Sequence, residues 1–100
     1  MDIIAIDSTF HGANATLERY DEAIRLLGGA PGGPFPDPGS LFHWAAAIQG
    51  GGLRIMNVFW TREQWEVFTR DKLIRVRDQV GLPTPENVFT PVDRFLTAGR

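Results

Sequence analysis

The sequence predicts one α+β domain in the order β-α-β-β-α-β. Three observations predict it. Four short segments are rich in β-branched and aromatic residues, and two longer segments carry apolar residues at helical spacing. Gly and Pro fall between these segments, apart from Pro91 in the last strand. At 100 residues the chain has the size of one domain, spanning 1–100.

Ile3 to Phe10 reads as the first strand, with three isoleucines before a break at Gly12 and Asn14. The first helix follows, capped by Thr16 or Asn14. Leu17, Tyr20, Ile24 and Leu27 form its apolar stripe, and Gly28-Gly29 ends it. Residues 28–40, GGAPGGPFPDPGS, are Gly and Pro apart from four residues, so they form a long loop whose single large apolar residue is Phe35. Leu41 to Ile48 is the second strand, Gln49 to Gly52 a hairpin turn, and Leu53 to Trp60 the third strand. Thr61-Arg-Glu-Gln64 has the form of a capping box, with the Thr61 hydroxyl serving the N3 amide and Gln64 reaching back. The second helix starts at Arg62, carries Trp65 and Phe68 inward, shifts direction near Asp71, continues with Leu73, Val76 and Val80, and stops at Gly81 and Pro83. Val88 to Leu96 is the last strand, where Pro91 argues for an edge or a bulge.

This order is the split-βαβ, ferredoxin-like arrangement, a four-stranded antiparallel sheet with both helices on one face. In the third strand Ile55 and Phe59 point one way while Met56, Val58 and Trp60 point the other. In the second, Phe42, Trp44, Ala46 and Ile48 oppose Leu41, Ala45 and Ala47. Both faces are largely apolar, yet two helices cover only one. The uncovered face calls for a homodimer, or for the 28–40 loop folding over it.

Composition narrows the partners. A net charge of −2 speaks against nucleic acid and a polybasic membrane anchor. The absence of cysteine removes disulfides, thiolate nucleophiles and Cys-based metal sites, and fits a cytoplasmic protein. The amino terminus lacks the basic region of a secretory signal, and no apolar run is long enough to span a bilayer. His11 and His43 share no metal-binding spacing, so neither a metal nor another cofactor is expected. Gly50-Gly51-Gly52 lacks the context of a phosphate cradle.

The candidate chemistry is sparse. His43, mid-strand among apolar neighbours, suits a general base or hydrogen-bond donor near neutral pH, or a structural histidine bonded to a neighbouring strand. Asn57 could orient a carbonyl or phenol oxygen but cannot act as a base; its plainer reading is a satisfied buried amide. Asp7 and Asp93 lie on first and last strands that neighbour each other, so they could share a proton, or one or both could sit at strand ends in solvent or pair with Arg94. Among Trp44, Trp60, Trp65, Phe59 and Tyr20, most belong to the core and one or two could wall a pocket for a flat aromatic molecule; Phe59 shares a face with Asn57. Phe35 would close that pocket from the loop. Arg70, Asp71, Lys72, Arg75, Arg77 and Asp78 alternate in sign and read as a solvated helix face.

LFHWA at Leu41–Ala45, RIMNVFWTREQWEVF at Arg54–Phe68 and GLPTPENVFTPVDRFL at Gly81–Leu96 together resemble the dimeric α/β-barrel superfamily, the group that includes antibiotic-biosynthesis-type monooxygenases, and its small actinobacterial members in particular. These phrases are signatures of the fold rather than of a reaction. The resemblance implies two sheets packed face to face, with a pocket in the barrel or between each sheet and its helices. It implies an activity drawn from cofactor-independent oxygenases of polyphenolic polyketides, haem-degrading enzymes or isomerases, or none. Two departures matter. Asn57 stands where relatives often carry an acid, and the second helix holds no His to ligate haem. The reading that follows is a small cofactor-independent oxygenase, isomerase or cyclase acting on an aromatic or polyketide-like molecule, with His43 and Asn57 at the chemistry. Its alternatives are a non-catalytic dimer that binds a small hydrophobic ligand or supports a larger enzyme, and a dimer with no ligand.

Overall fold

The computed structural model describes residues 2–96. The elements are β1 (Ile4–Phe10), α1 (Leu17–Leu26), β2 (Ser40–Ala47), β3 (Leu53–Phe59), a second helix in two parts, α2 (Arg62–Phe68) and α3 (Ile74–Val80), joined by a π-helical turn (Thr69–Leu73), and β4 (Glu86–Pro91). The sheet is antiparallel throughout, in the order β2-β3-β1-β4. The fold is the ferredoxin-like α+β arrangement that the sequence predicts.

Strand periodicity sets the two faces. In β1, Ile4, Ile6, Ser8 and Phe10 are buried and alternate with half-buried Ala5, Asp7 and Thr9. In β3, Leu53, Ile55, Asn57 and Phe59 are buried on the helix side. Ile4, Ile6 and Phe59 pack with Trp65 and Phe68 of α2 in one cluster, and Phe10, Leu53 and Ile55 pack with Ala15 in a second. Ala23 of α1 meets Val76 and Val80 of α3 and Leu82 in a third. On α1 the inward residues are Tyr20, Ala23, Ile24 and Leu27, whereas Leu17, expected in the stripe, is exposed.

The caps behave as elementary helix chemistry requires. Thr16 accepts from the Arg19 amide, deciding between the two candidate caps. Thr61 Oγ1 accepts from the Gln64 amide at 3.1 Å. Gln64 does not complete the reciprocal half of the box, because its Oε1 takes the Thr61 hydroxyl instead, at 3.3 Å. Gly81 ends α3 at φ 79°, where a Cβ would lie 2.5 Å from Arg19 Nη1; that guanidinium donates to Val80 O at 2.8 Å and so caps α3 from α1.

The direction shift near Asp71 is the π turn. The inward residues Phe68 and Leu73 are five apart, one more than an α-helix accommodates, and an uninterrupted helix would turn Lys72 inward. The wide turn absorbs the extra residue and leaves Lys72 exposed.

Two boundaries depart from expectation. β4 begins at Glu86 and ends at Pro91, rather than running from Val88 to Leu96. The link from Leu82 through Pro83 and Pro85 is short, so pairing with β1 starts at Glu86↔Thr9 and reaches the start of β1 at Pro91↔Ile4. β4 is an edge strand, as Pro91 suggested. The 28–40 loop does not cover the open face of the sheet. It turns to the helix side, where Phe35 packs edge-on against Phe59 and Phe68. Gly39 makes this return possible, since a Cβ there would stand 3.0 Å from the Phe59 ring. The open face therefore presents Phe42 and Trp44 beside Val58 and Met56, with Val88 on the far edge strand.

Candidate functional site

A cavity of about 50 Å³ lies between the sheet and the helices, walled mainly by apolar and aromatic side chains. Tyr20 of α1, Phe35 of the loop, His43 of β2 and Asn57 of β3 all line it. His43 and Asn57 are register partners across the β2–β3 pair, so their side chains emerge together on the helix face.

The three polar groups form a chain. His43 Nδ1 lies 2.7 Å from Asn57 Oδ1. A carboxamide oxygen only accepts, so Nδ1 carries the hydrogen and Nε2 presents its lone pair. That lone pair accepts the Tyr20 hydroxyl. Burial holds the His43 pKa below its ordinary 6.5, against a smaller upward pull from the Asn57 bond. The imidazole is therefore neutral near pH 7 and can take a proton. Burial, with a contribution from Asp21, pushes the Tyr20 phenol up to about 12, so its proton stays in place at rest. Phe35 covers the assembly, its ring centroid 4.3 Å from that of His43.

Four sequence-predicted site residues thus come together: His43, Asn57, Tyr20 and Phe35. The other four do not. Phe59 shares the face with Asn57 as expected but is fully buried behind Phe35, packed against Trp65 at 5.2 Å between centroids, and does not reach the cavity. Trp44 lies on the opposite face of the sheet, where Arg54 sits 5.8 Å over its ring. Asp7 is also on that open face, bound by Arg54 Nε and Nη2 at 3.0 and 2.6 Å; this bond holds its carboxyl below the usual range. Asp93 cannot meet it. Asp7 faces Val88, whereas Asp93 follows the end of β4, beyond the Val92 bond to Ile3. The register of β4 on β1, which sets Asp7 opposite Val88, is the reason the carboxylate pair fails to form.

Three polar contributions escaped the sequence reading. Ser8 Oγ donates to Asn87 Oδ1 at 2.6 Å in the cavity wall, and its inward parity with Ile6 and Phe10 was the available signal. Thr69 and Arg77 also line the cavity. Arg77 is half-buried rather than part of a solvated charged face. Its spacing of four from Leu73, and of eight from Thr69, was the sign that it follows the inward side. Among the described residues, no three His, Asp or Glu side chains come together in a way that could hold a metal ion. No described helix is long and apolar enough to cross a membrane.

No protein-family model and no curated protein sequence matches the chain. Solved structures do. SnoaB, a cofactor-independent oxygenase from Streptomyces nogalater, superposes with a TM-score of 0.65 at 13% identity, over 98% of this chain and 100% of that one. A chain from Chloroflexus aurantiacus, provisionally named an antibiotic biosynthesis monooxygenase, superposes with a TM-score of 0.65 at 11% identity, over 97% and 99%. At these identities the likeness establishes a shared fold.

Proposed function

We propose that this chain is a small cofactor-independent enzyme of the oxygenase type, acting on an aromatic or polyketide-like molecule in the cavity between sheet and helices. The Tyr20–His43–Asn57 chain carries the proposal. Asn57 fixes the imidazole tautomer, His43 is the base, and Tyr20 relays the proton. A substrate hydroxyl or activated methylene gives its proton to Tyr20 Oη as the Tyr20 proton passes to His43 Nε2. The raised phenol pKa makes the two transfers concerted, since a free tyrosinate is costly here. The resulting carbanion or phenolate is electron-rich enough to react with dioxygen, the oxidant. One oxygen atom enters the substrate as a ketone, the other leaves as water, and a methylene supplies both hydrogens. The naming of SnoaB as a cofactor-independent oxygenase favours this outcome over isomerisation or cyclisation.

The cavity volume of about 50 Å³ holds only a few waters, well below the several hundred Å³ of a small-molecule site. Substrate entry therefore displaces Phe35 and its loop. The same small volume, and the engagement of both His43 nitrogens, favour a second reading in which the pocket binds a small hydrophobic ligand without converting it. We also propose a homodimer formed through the open sheet face. Phe42 and Val88 are 49% and 63% exposed there, and the Gly/Pro loop that could have covered them lies on the other side.

Dioxygen uptake with a panel of anthrone-type polyphenols tests the enzymatic reading. Uptake by the native protein that is lost in His43→Ala, with the oligomeric state unchanged, supports it. Ligand binding without uptake would leave the binding reading, and unchanged uptake in His43→Ala would remove the assigned base.

A further inference from the structure

We infer that Arg77 and Thr69 form an oxyanion-accepting end of the cavity, and that its ligand is an aromatic molecule bearing a carboxylate. The inference rests on reading the cavity as a ligand site, but not on turnover.

Arg77 Nε and Thr69 Oγ1 are both shut off from solvent, and neither has a hydrogen-bond partner. Both side chains line the cavity, from α3 and from the start of the π turn, with Leu73 between them. Buried polar groups in folded proteins are almost always satisfied, so two orphans at one cavity point to a missing acceptor. A guanidinium keeps its charge at any working pH and only donates. Its acceptor here is not a side chain. Among the described residues, no carboxylate lines the cavity and no ion pair involves Arg77. The acids nearest in sequence are accounted for: Asp71 pairs with Arg70, and Asp78 is exposed. Tyr20, His43 and Asn57 bond to one another, and none of them bonds to Arg77.

A cation in an apolar wall with no counter-charge of its own suits an anionic ligand. The planar guanidinium fork matches a carboxylate, and a hydroxyl beside it can donate to the same group. Phe10, Tyr20, Phe35 and Trp65 supply the aromatic surroundings for the rest of the molecule. The π turn gives this arrangement its local cause. Thr69, Leu73 and Arg77 recur at intervals of four on one face, and the extra residue turns that face to the side of Phe68, from which an uninterrupted helix would point Arg77 away.

Binding of naphthalene-2-carboxylate and of its neutral isostere 2-naphthamide, measured by titration calorimetry near neutral pH, tests the inference. The measurement uses the native chain and Phe35→Ala, which removes the ring filling the cavity. The expected result is a carboxylate preference of about tenfold or more. Arg77→Met should abolish the preference while amide binding persists, Arg77→Lys should restore part of it, and Thr69→Val should weaken it. Persistence of amide binding reports that Arg77→Met is folded; if that variant does not fold, the preference in the native chain and its response to Thr69→Val decide. Equal binding of the two probes overturns the assignment to Arg77 and Thr69 while leaving the cavity a ligand site. Binding of neither probe, in either protein, overturns both.

Discussion

His43 Nδ1 stands 2.7 Å from Asn57 Oδ1, between two residues that the β2–β3 register sets directly opposite each other. The bond holds the ring in one tautomer and leaves Nε2 to Tyr20. Asn57→Leu removes the acceptor and leaves a buried N–H without a partner, at a cost of about 1–3 kcal/mol. Urea unfolding should show that loss. Nitrogen NMR of His43 should show the ring redistributing between tautomers, and any turnover should fall further than His43 occupancy of the cavity would explain.

The pH dependence of stability follows from the buried imidazole. The folded pKa of His43 lies below its unfolded 6.5, so the unfolded chain binds the proton first as pH falls. Stability is therefore complete above 6.5 and declines as pH drops from there toward the folded pKa. Thermal melts of the native chain should show this decline, and His43→Gln should flatten it. Asp7 acts in a separate and more acidic window, since its carboxyl is depressed from 3.8 by Arg54.

Phe35 plugs the cavity. It packs on His43, Phe59 and Phe68 from a loop built mostly of Gly and Pro. Phe35→Ala should cost about 1–3 kcal/mol, because the residue is only partly buried. The same change should admit aromatic molecules that the native chain takes up slowly. Stopped-flow binding would report a faster association rate, and an unchanged rate would mean that entry runs elsewhere.

Arg19 and Gly81 are coupled across the two helices. Gly81→Ala carries the cost of a left-handed residue, about 1–2 kcal/mol, and pushes a methyl into the Arg19 guanidinium. Arg19→Ala loses the bond to Val80 O, worth about 1 kcal/mol. Chemical denaturation of the double variant should show a loss smaller than the sum of the single losses, because the steric conflict vanishes with the side chain.

Dimer formation places its weight on the open face. Phe42→Glu sets a charge at an exposed position on its edge strand β2 and should convert a two-chain mass in analytical ultracentrifugation to a one-chain mass without unfolding the protein. Asp7→Asn, by contrast, breaks an ion pair on the same face that is worth at most about 1 kcal/mol when solvated. A native chain that sediments as a monomer would refute the dimer outright.

Much of the fold was legible in one dimension because its signals are local. Thr61 caps α2 through its own Gln64 amide, Gly81 adopts the left-handed turn that ends α3, and alternation along β3 puts Asn57 and Phe59 on one side. Each depends on neighbours within a few residues, so periodicity and residue type suffice. The pairing of His43 with Asn57 was nearly as accessible, since a short Gly hairpin ties their strands together.

What only the tertiary structure decided are the meetings between elements far apart in the chain. Tyr20 reaches His43 because α1 docks over β2, which no spacing announces. Asp7 and Asp93 stay apart because a short Pro-bounded link sets the β4 register, and their adjacency by topology does not survive that shift. Arg77 turns inward because one π turn rotates the helix after Phe68. Local sequence determines what each element is and which of its faces is apolar. Docking and register determine which polar groups end up facing one another, and those depend on packing summed over the whole domain.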